Sequence, residues 1–267
     1  MLLLLLLFAS CEEVIEVDVP AEEPRLIVEG LLRVDTTQTF VPVEVKLSQS
    51  AGFFDEIQPV TDAEQVIIIL SVLDEFGLPA ASGTKSLRQL QPGSGIYEPD
   101  PDFDSDQRIR VSTVTENDIL YTLVVEWKDR RYAAQTAYVT SVPIAELRLG
   151  DGILFDEDET ELIVRITDDP DLDNFYVFDF GFANFLTSED TFFKGQEFEF
   201  SYFYDQKFDP GTVLEVGVLG ADRTFYNYMD LLIEQTEGQQ GPFQTPITTV
   251  RGNVFDVTGL DNQDRFD

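Results

Sequence analysis

The sequence predicts a mainly β protein of two antiparallel domains, the first a β-sandwich and the second carrying one short helix. Three observations predict it: apolar residues recur with period two along most of the chain; turn-forming residues punctuate these runs at roughly 8–12-residue spacing; and a single segment has helical periodicity. Hydrophobic residues at 43% and aromatics at 12% of 267 residues supply enough apolar material for packed cores despite the charge.

Taken in order, Leu26, Val28, Gly30, Leu32 and Val34 alternate, as do Val41, Val43, Val45 and Leu47, which predicts a first hairpin buried on one face. Val66 to Leu73 is nearly continuous in aliphatic residues, the pattern of a central strand covered on both sides. A turn-rich stretch from Glu75 to Gly95 follows. Strands resume at Arg108–Thr115, Ile119–Trp127 and Arg131–Thr140, and the polar Lys128-Asp129-Arg130 predicts a hairpin between the last two. Ser141-Val142-Pro143 is the expected domain boundary, dividing 25–141 from 142–267. Beyond it, Tyr176, Phe178, Phe180 and Phe182 alternate, as do Phe198, Phe200, Tyr202 and Tyr204, so two aromatic-faced strands should share a core. Val213 to Leu219 adds another strand. Phe225, Tyr228, Met229 and Leu232 fall at i, i+3, i+4 and i+7, predicting a helix near 223–237 that Asp222 caps and Gly238 ends.

Composition removes several function classes. Seventeen basic against 51 acidic residues give a net charge of −34, which repels phosphate and makes DNA or RNA an unsuitable partner. No histidine is present. That excludes His-dependent nucleophilic triads, histidine general bases and histidine-ligated zinc. No glycine-rich phosphate loop opens a helix.

At the N-terminus, Leu2 to Ala9 is an apolar run too short for the roughly 20 residues of a membrane-spanning helix, and it ends at Ser10-Cys11. Residues 1–10 read as a signal peptide, although no Lys or Arg precedes the apolar run, so the true start is expected upstream. Phe8-Ala9-Ser10-Cys11 resembles the lipobox of bacterial lipoproteins, which implies lipid attachment at Cys11 and anchoring to a membrane. As the only cysteine, Cys11 has no partner for an internal disulfide. Residues 11–24, acidic and bearing Pro20 and Pro24, read as an extended tether. Glu12-Glu13 resembles the acidic export signal of surface-exposed lipoproteins in the Bacteroidetes.

The order of several short motifs resembles DUF4249, a family of Bacteroidetes lipoproteins without an established function. They are Arg25-Leu26-Ile27-Val28-Glu29-Gly30, Gly95-Ile96-Tyr97, Tyr121-Thr122-Leu123-Val124-Val125, Val142-Pro143, and Asp168-Asp169-Pro170 leading to Asn174-Phe175-Tyr176. Gly241-Pro242-Phe243 and Arg251-Gly252-Asn253-Val254 continue the series. The family usually closes on a further aromatic segment, whereas this chain stops at Arg265-Phe266-Asp267, so a truncated C-terminus is expected. The first half separately resembles immunoglobulin-like or prealbumin-like modules. The resemblance implies a non-enzymatic surface protein at the outer membrane, working beside a TonB-dependent receptor in nutrient uptake.

Two acidic runs are candidate calcium sites, because hard oxygen ligands suit a hard cation. Asp100, Asp102, Asp104 and Asp106 alternate in one, and Asp168, Asp169, Asp171 and Asp173 form the other. Neither has an EF-hand's glycine and distal glutamate, and solvated, turn-forming acidic loops are the plainer account of both patterns. Asp156 to Glu159 reads as a solvated hairpin tip. A calcium-stabilised adhesive module and a glycan hydrolase working through paired carboxylates are the two alternatives, and the sequence selects no pair for the second.

Overall fold

A computed structural model describes residues 23–52, 55–155, 157–236 and 250–260. The chain is mainly β, with antiparallel pairing throughout. Its first unit contains β1 (Leu26–Gly30), β2 (Phe40–Val41), β3 (Val45–Gln49), β4 (Gln58–Pro59), β5 (Gln65–Leu73), β6 (Pro79–Arg88) and β7 (Ile96–Pro99). It continues through β8 (Ile109–Arg110), α1 (Val111–Thr115), β9 (Ile119–Trp127) and β10 (Arg130–Ala137). The second unit contains β11 (Ile144–Leu149), β12 (Thr160–Thr167), β13 (Phe175–Asp179), β14 (Phe185–Glu189), β15 (Glu197–Tyr204), β16 (Gly217–Ala221) and α2 (Arg223–Thr236). A last strand, β17 (Val254–Asp256), follows α2.

In the first unit a hydrogen-bonded path of strands, β1-β3-β7-β6-β5-β9-β10-β17, wraps a single core, while β4 pairs with β3 beside it and β2 pairs with β8 separately. The corner is β6. Up to Ser86 it pairs with β5, and then Leu87 and Arg88 pair with Pro99 and Glu98 of β7. Strands on both sides of this corner send Val45, Leu47, Val66, Ile68, Val125 and Trp127 inward. The predicted pairing of the first two alternating runs is present as β1 against β3. The predicted hairpin is present as β9 against β10, with Trp127 opposite Arg130. Its two loop residues, Lys128 and Asp129, have φ of 51° and 57°, the left-handed pair whose twist matches the flanking strands. Gly95 has φ +71°, and a Cβ there would stand 2.7 Å from the Leu47 carbonyl oxygen, so the turn before β7 needs glycine.

Two expectations are corrected here. The run Arg108–Thr115 is not one strand: after two strand residues it turns into α1, because Val111 and Val114, three apart, both reach the core. The central run Val66–Leu73 is not covered on both sides, since its residues alternate between buried and half-buried.

Tyr121 enters the core with its hydroxyl buried and without a hydrogen-bond partner among the described residues. Burial pushes its phenol up to about 12. Tyr121→Phe is therefore expected to leave stability at neutral pH unchanged or to raise it by up to about 2 kcal/mol, read from the urea midpoint. The folded phenol keeps its proton above the unfolded value near 10, so its contribution is complete below that pH and is lost as pH climbs toward 12. Tyr121→Phe should lose less stability across that window.

The second unit packs two three-stranded sheets, β11-β12-β15 and β14-β13-β16, around an aromatic core. Tyr176, Phe178 and Phe180 come from the β13 side, and Phe198, Phe200 and Tyr204 from β15, as their alternation predicts. α2 covers the other face of β13 through Met229 against Val177 and Ala221. Its start is capped as expected, the Asp222 carboxylate accepting the Phe225 N–H at 2.7 Å. Gly238, expected to end it, lies outside the described residues.

Contacts join the units. Arg33 pairs with Asp179 at 2.5 Å, and Gly220 approaches the Thr140 carbonyl so closely that a Cβ would stand 2.2 Å from its oxygen. The chain also returns: β17, expected in the second domain, pairs with β10, placing Asp256 opposite Tyr132 and Val254 opposite Ala134.

Candidate functional site

The first acidic run does not converge. It begins at the β6 corner, where the Asp100 N–H donates to the Ser86 carbonyl. Arg88 then draws two carboxylates to itself, Asp100 at 3.0 Å and Asp102 at 2.6 Å. At the far end Arg108 makes a forked contact with both Asp106 oxygens at 2.9 Å, and this hydrogen bonding lowers the Asp106 carboxyl to about 2. Asp104 is exposed between them. The adjoining Gln107 is buried, accepting the Ser86 N–H at 2.7 Å and donating to the Ser105 carbonyl at 2.7 Å. The run is thus fastened to β6 by Arg88, by the Lys85 ammonium donating to the Asp106 carbonyl, and by the Gln107 amide.

The second run divides between the interior and the surface. Asp168 is 3% exposed and accepts two hydrogen bonds, from the Tyr176 hydroxyl at 2.5 Å and from the Gly195 N–H at 2.7 Å. Burial, then this hydrogen bond, raises the Tyr176 phenol well above its ordinary value. Asp169 accepts the Asp171 N–H, an ordinary Asx turn. Asp173 pairs with Lys194 at 2.5 Å, which holds its carboxyl below the usual range and raises the ammonium. Among the described residues no three acidic or thiol side chains gather as a metal ion would need. Cys11 lies outside the described residues.

Sequence reasoning missed the residues that lock this region. Asp190 is buried and accepts the Asn174 N–H at 2.9 Å, while the Asn174 side-chain oxygen is buried without a partner among the described residues. Nothing in the spacing marks Asp190, which precedes no turn glycine and belongs to no acidic run. Glu159 is a correction: it is not solvated but 6% exposed, taking the Leu154 and Phe155 N–H groups.

One cleft, of about 340 Å³, opens where β6 leaves β5. Its lining includes Thr61, Glu64, Gln65, Arg88, Gln89 and Tyr97. Gln89 organises the wall, donating to the Thr61 carbonyl at 2.8 Å and the Tyr97 hydroxyl at 3.2 Å while accepting the Gly95 N–H at 3.0 Å. The Tyr97 hydroxyl in turn donates to the Val60 carbonyl at 3.2 Å. The cleft lining has no cysteine or lysine, and its one carboxylate is Glu64.

The fold and these sites define a mainly antiparallel β protein whose acidic loops are fastened by arginine, lysine and tyrosine. The chain belongs to the family described as a domain of unknown function, DUF4249, whose sequence profile matches residues 12–260. No curated protein matches the chain.

Proposed function

We propose that the protein is an outer-membrane lipoprotein, anchored through Cys11 and surface-exposed, that serves a TonB-dependent receptor in nutrient uptake as a non-enzymatic binding or accessory component. The observation that carries the reading is a coincidence at the N-terminus: the family match opens at Glu12, the residue immediately after a lipobox-like Phe8-Ala9-Ser10-Cys11. A non-enzymatic role draws support from the acidic side chains, the main catalytic currency of a chain without histidine. Asp100, Asp102, Asp106 and Asp173 are held by cations, and Asp168 by a phenol and a backbone N–H.

Native membranes solubilised in mild detergent provide the test. Affinity isolation of the full-length protein should recover a receptor barrel, and mass spectrometry of the isolated protein should find lipid on Cys11 as the first residue. Recovery without any barrel overturns the accessory role, and an unacylated Cys11 still preceded by the leucine run overturns the anchor.

A further inference from the structure

The β11–β12 hairpin ends in three consecutive apolar residues that face water: Ile153 is 58% exposed, Leu154 55% and Phe155 89%. Leu147 and Leu149 on β11 are exposed as well. A folded chain that merely needed a turn here would not place its apolar residues outward.

The backbone holds them there. Glu159 receives the Leu154 N–H at 2.7 Å and the Phe155 N–H at 3.1 Å, and Glu161 receives the Gly152 N–H at 2.6 Å. Lys207 reaches the Glu159 carbonyl oxygen at 2.8 Å, and the Thr160 hydroxyl donates to the Gln206 carbonyl, so the base of the hairpin is tied to the segment after β15. Burying a carboxylate is costly unless charge-assisted hydrogen bonds compensate it. In Glu159 those bonds come from the backbone beneath the apolar residues, which fixes their presentation and lowers the entropy lost on docking.

Charge selects among occupants. Asp151 and Glu157 flank the tip in a chain of net charge −34. An anionic membrane surface repels such a tip, and helices or loops that enter the interface carry Lys or Arg on their polar side. A second copy would bring acidic flank against acidic flank. A protein surface with cations around an apolar depression has neither conflict.

We infer that Ile153-Leu154-Phe155 is a docking finger that seats in an apolar pocket rimmed by Lys or Arg on a partner protein. The inference rests on the accessory reading above and adds the surface through which the partner is met.

The test uses the full-length protein in its own membrane, with Phe155 replaced by photoreactive benzoylphenylalanine. Irradiation should give one protein adduct whose cross-linked peptide is apolar and flanked by Lys or Arg. The double variant Ile153→Ser, Phe155→Ser should keep the wild-type melting curve, since both side chains are exposed, while co-isolation of the partner falls tenfold or more. An adduct with lipid, an adduct with a second copy, or no adduct overturns the finger. A receptor recovered equally by wild type and double variant overturns the finger and leaves the accessory reading standing, whereas a receptor recovered by neither overturns that reading.

Discussion

Phe178→Ala lowers the stability of the second unit by about 3–5 kcal/mol, the range for removing a fully buried aromatic without collapse of the space it leaves. Phe178 is fully buried on β13, between the flanking strands β14 and β16. Its ring meets Phe200 edge-on at 4.9 Å and lies 6.2–6.4 Å from Tyr176 and Phe180. These neighbours are held by both sheets, so the gap left by alanine cannot close by moving one side chain. Phe200 loses its edge-to-face contact as well, a further loss beyond area burial. Near-ultraviolet circular dichroism during urea unfolding reads the change, and Phe178→Leu should recover more than half of it.

Asp168→Ala produces the second large loss, about 2–4 kcal/mol. The substitution leaves the buried Tyr176 hydroxyl without an acceptor, at a cost of about 1–3 kcal/mol, and removes the partner of the part-buried Gly195 N–H, a smaller loss. Asp168→Asn should lie between, because one amide oxygen can serve the phenol while the amide nitrogen faces a second donor. A double-mutant cycle with Tyr176→Phe should give a coupling energy of about 1–3 kcal/mol, against none if the two only pack. The phenol's raised pKa adds a pH signature. Its contribution is complete below about 10, the ordinary tyrosine value, and is lost as pH rises beyond it, so Tyr176→Phe should blunt alkaline unfolding.

What was legible in the sequence is what depends on one face meeting one core. The alternation of Tyr176, Phe178 and Phe180 with Phe198, Phe200, Tyr202 and Tyr204 marks the second core, whereas Phe182, expected beside them, is 65% exposed beyond the end of β13. The Asp222 cap and the i, i+3, i+4, i+7 stripe placed α2 to within a residue. The ten residues of β6, by contrast, were hidden in what read as turns. Pro79 to Arg88 is rich in Ala, Ser, Gly and Thr and has no apolar alternation, because most of this strand is exposed and it is recruited through backbone pairing with β5 and, at its end, β7. The strand-like Val111-Ser112-Thr113-Val114-Thr115 became helix for a tertiary reason, the need to bury two valines three apart. The acidic runs are plain in the sequence, but among the described residues their carboxylates do not gather. Which carboxylate turns inward, Asp168 rather than Asp169 or Asp171, depends on the distant Gly195 N–H and Tyr176 hydroxyl, and no local spacing encodes that.

The pairing of β17 with β10 bears on how the molecule is made. The Thr258 hydroxyl accepts the Arg131 N–H across 127 residues, and the Asn253 amide donates to the Gln135 carbonyl. During synthesis the flank of β10 therefore stays bare until Val254 to Thr258 has emerged. A chaperone that shields an unfinished margin would have its task there, and a chain cut before Val254 would be left with its first half open along that side.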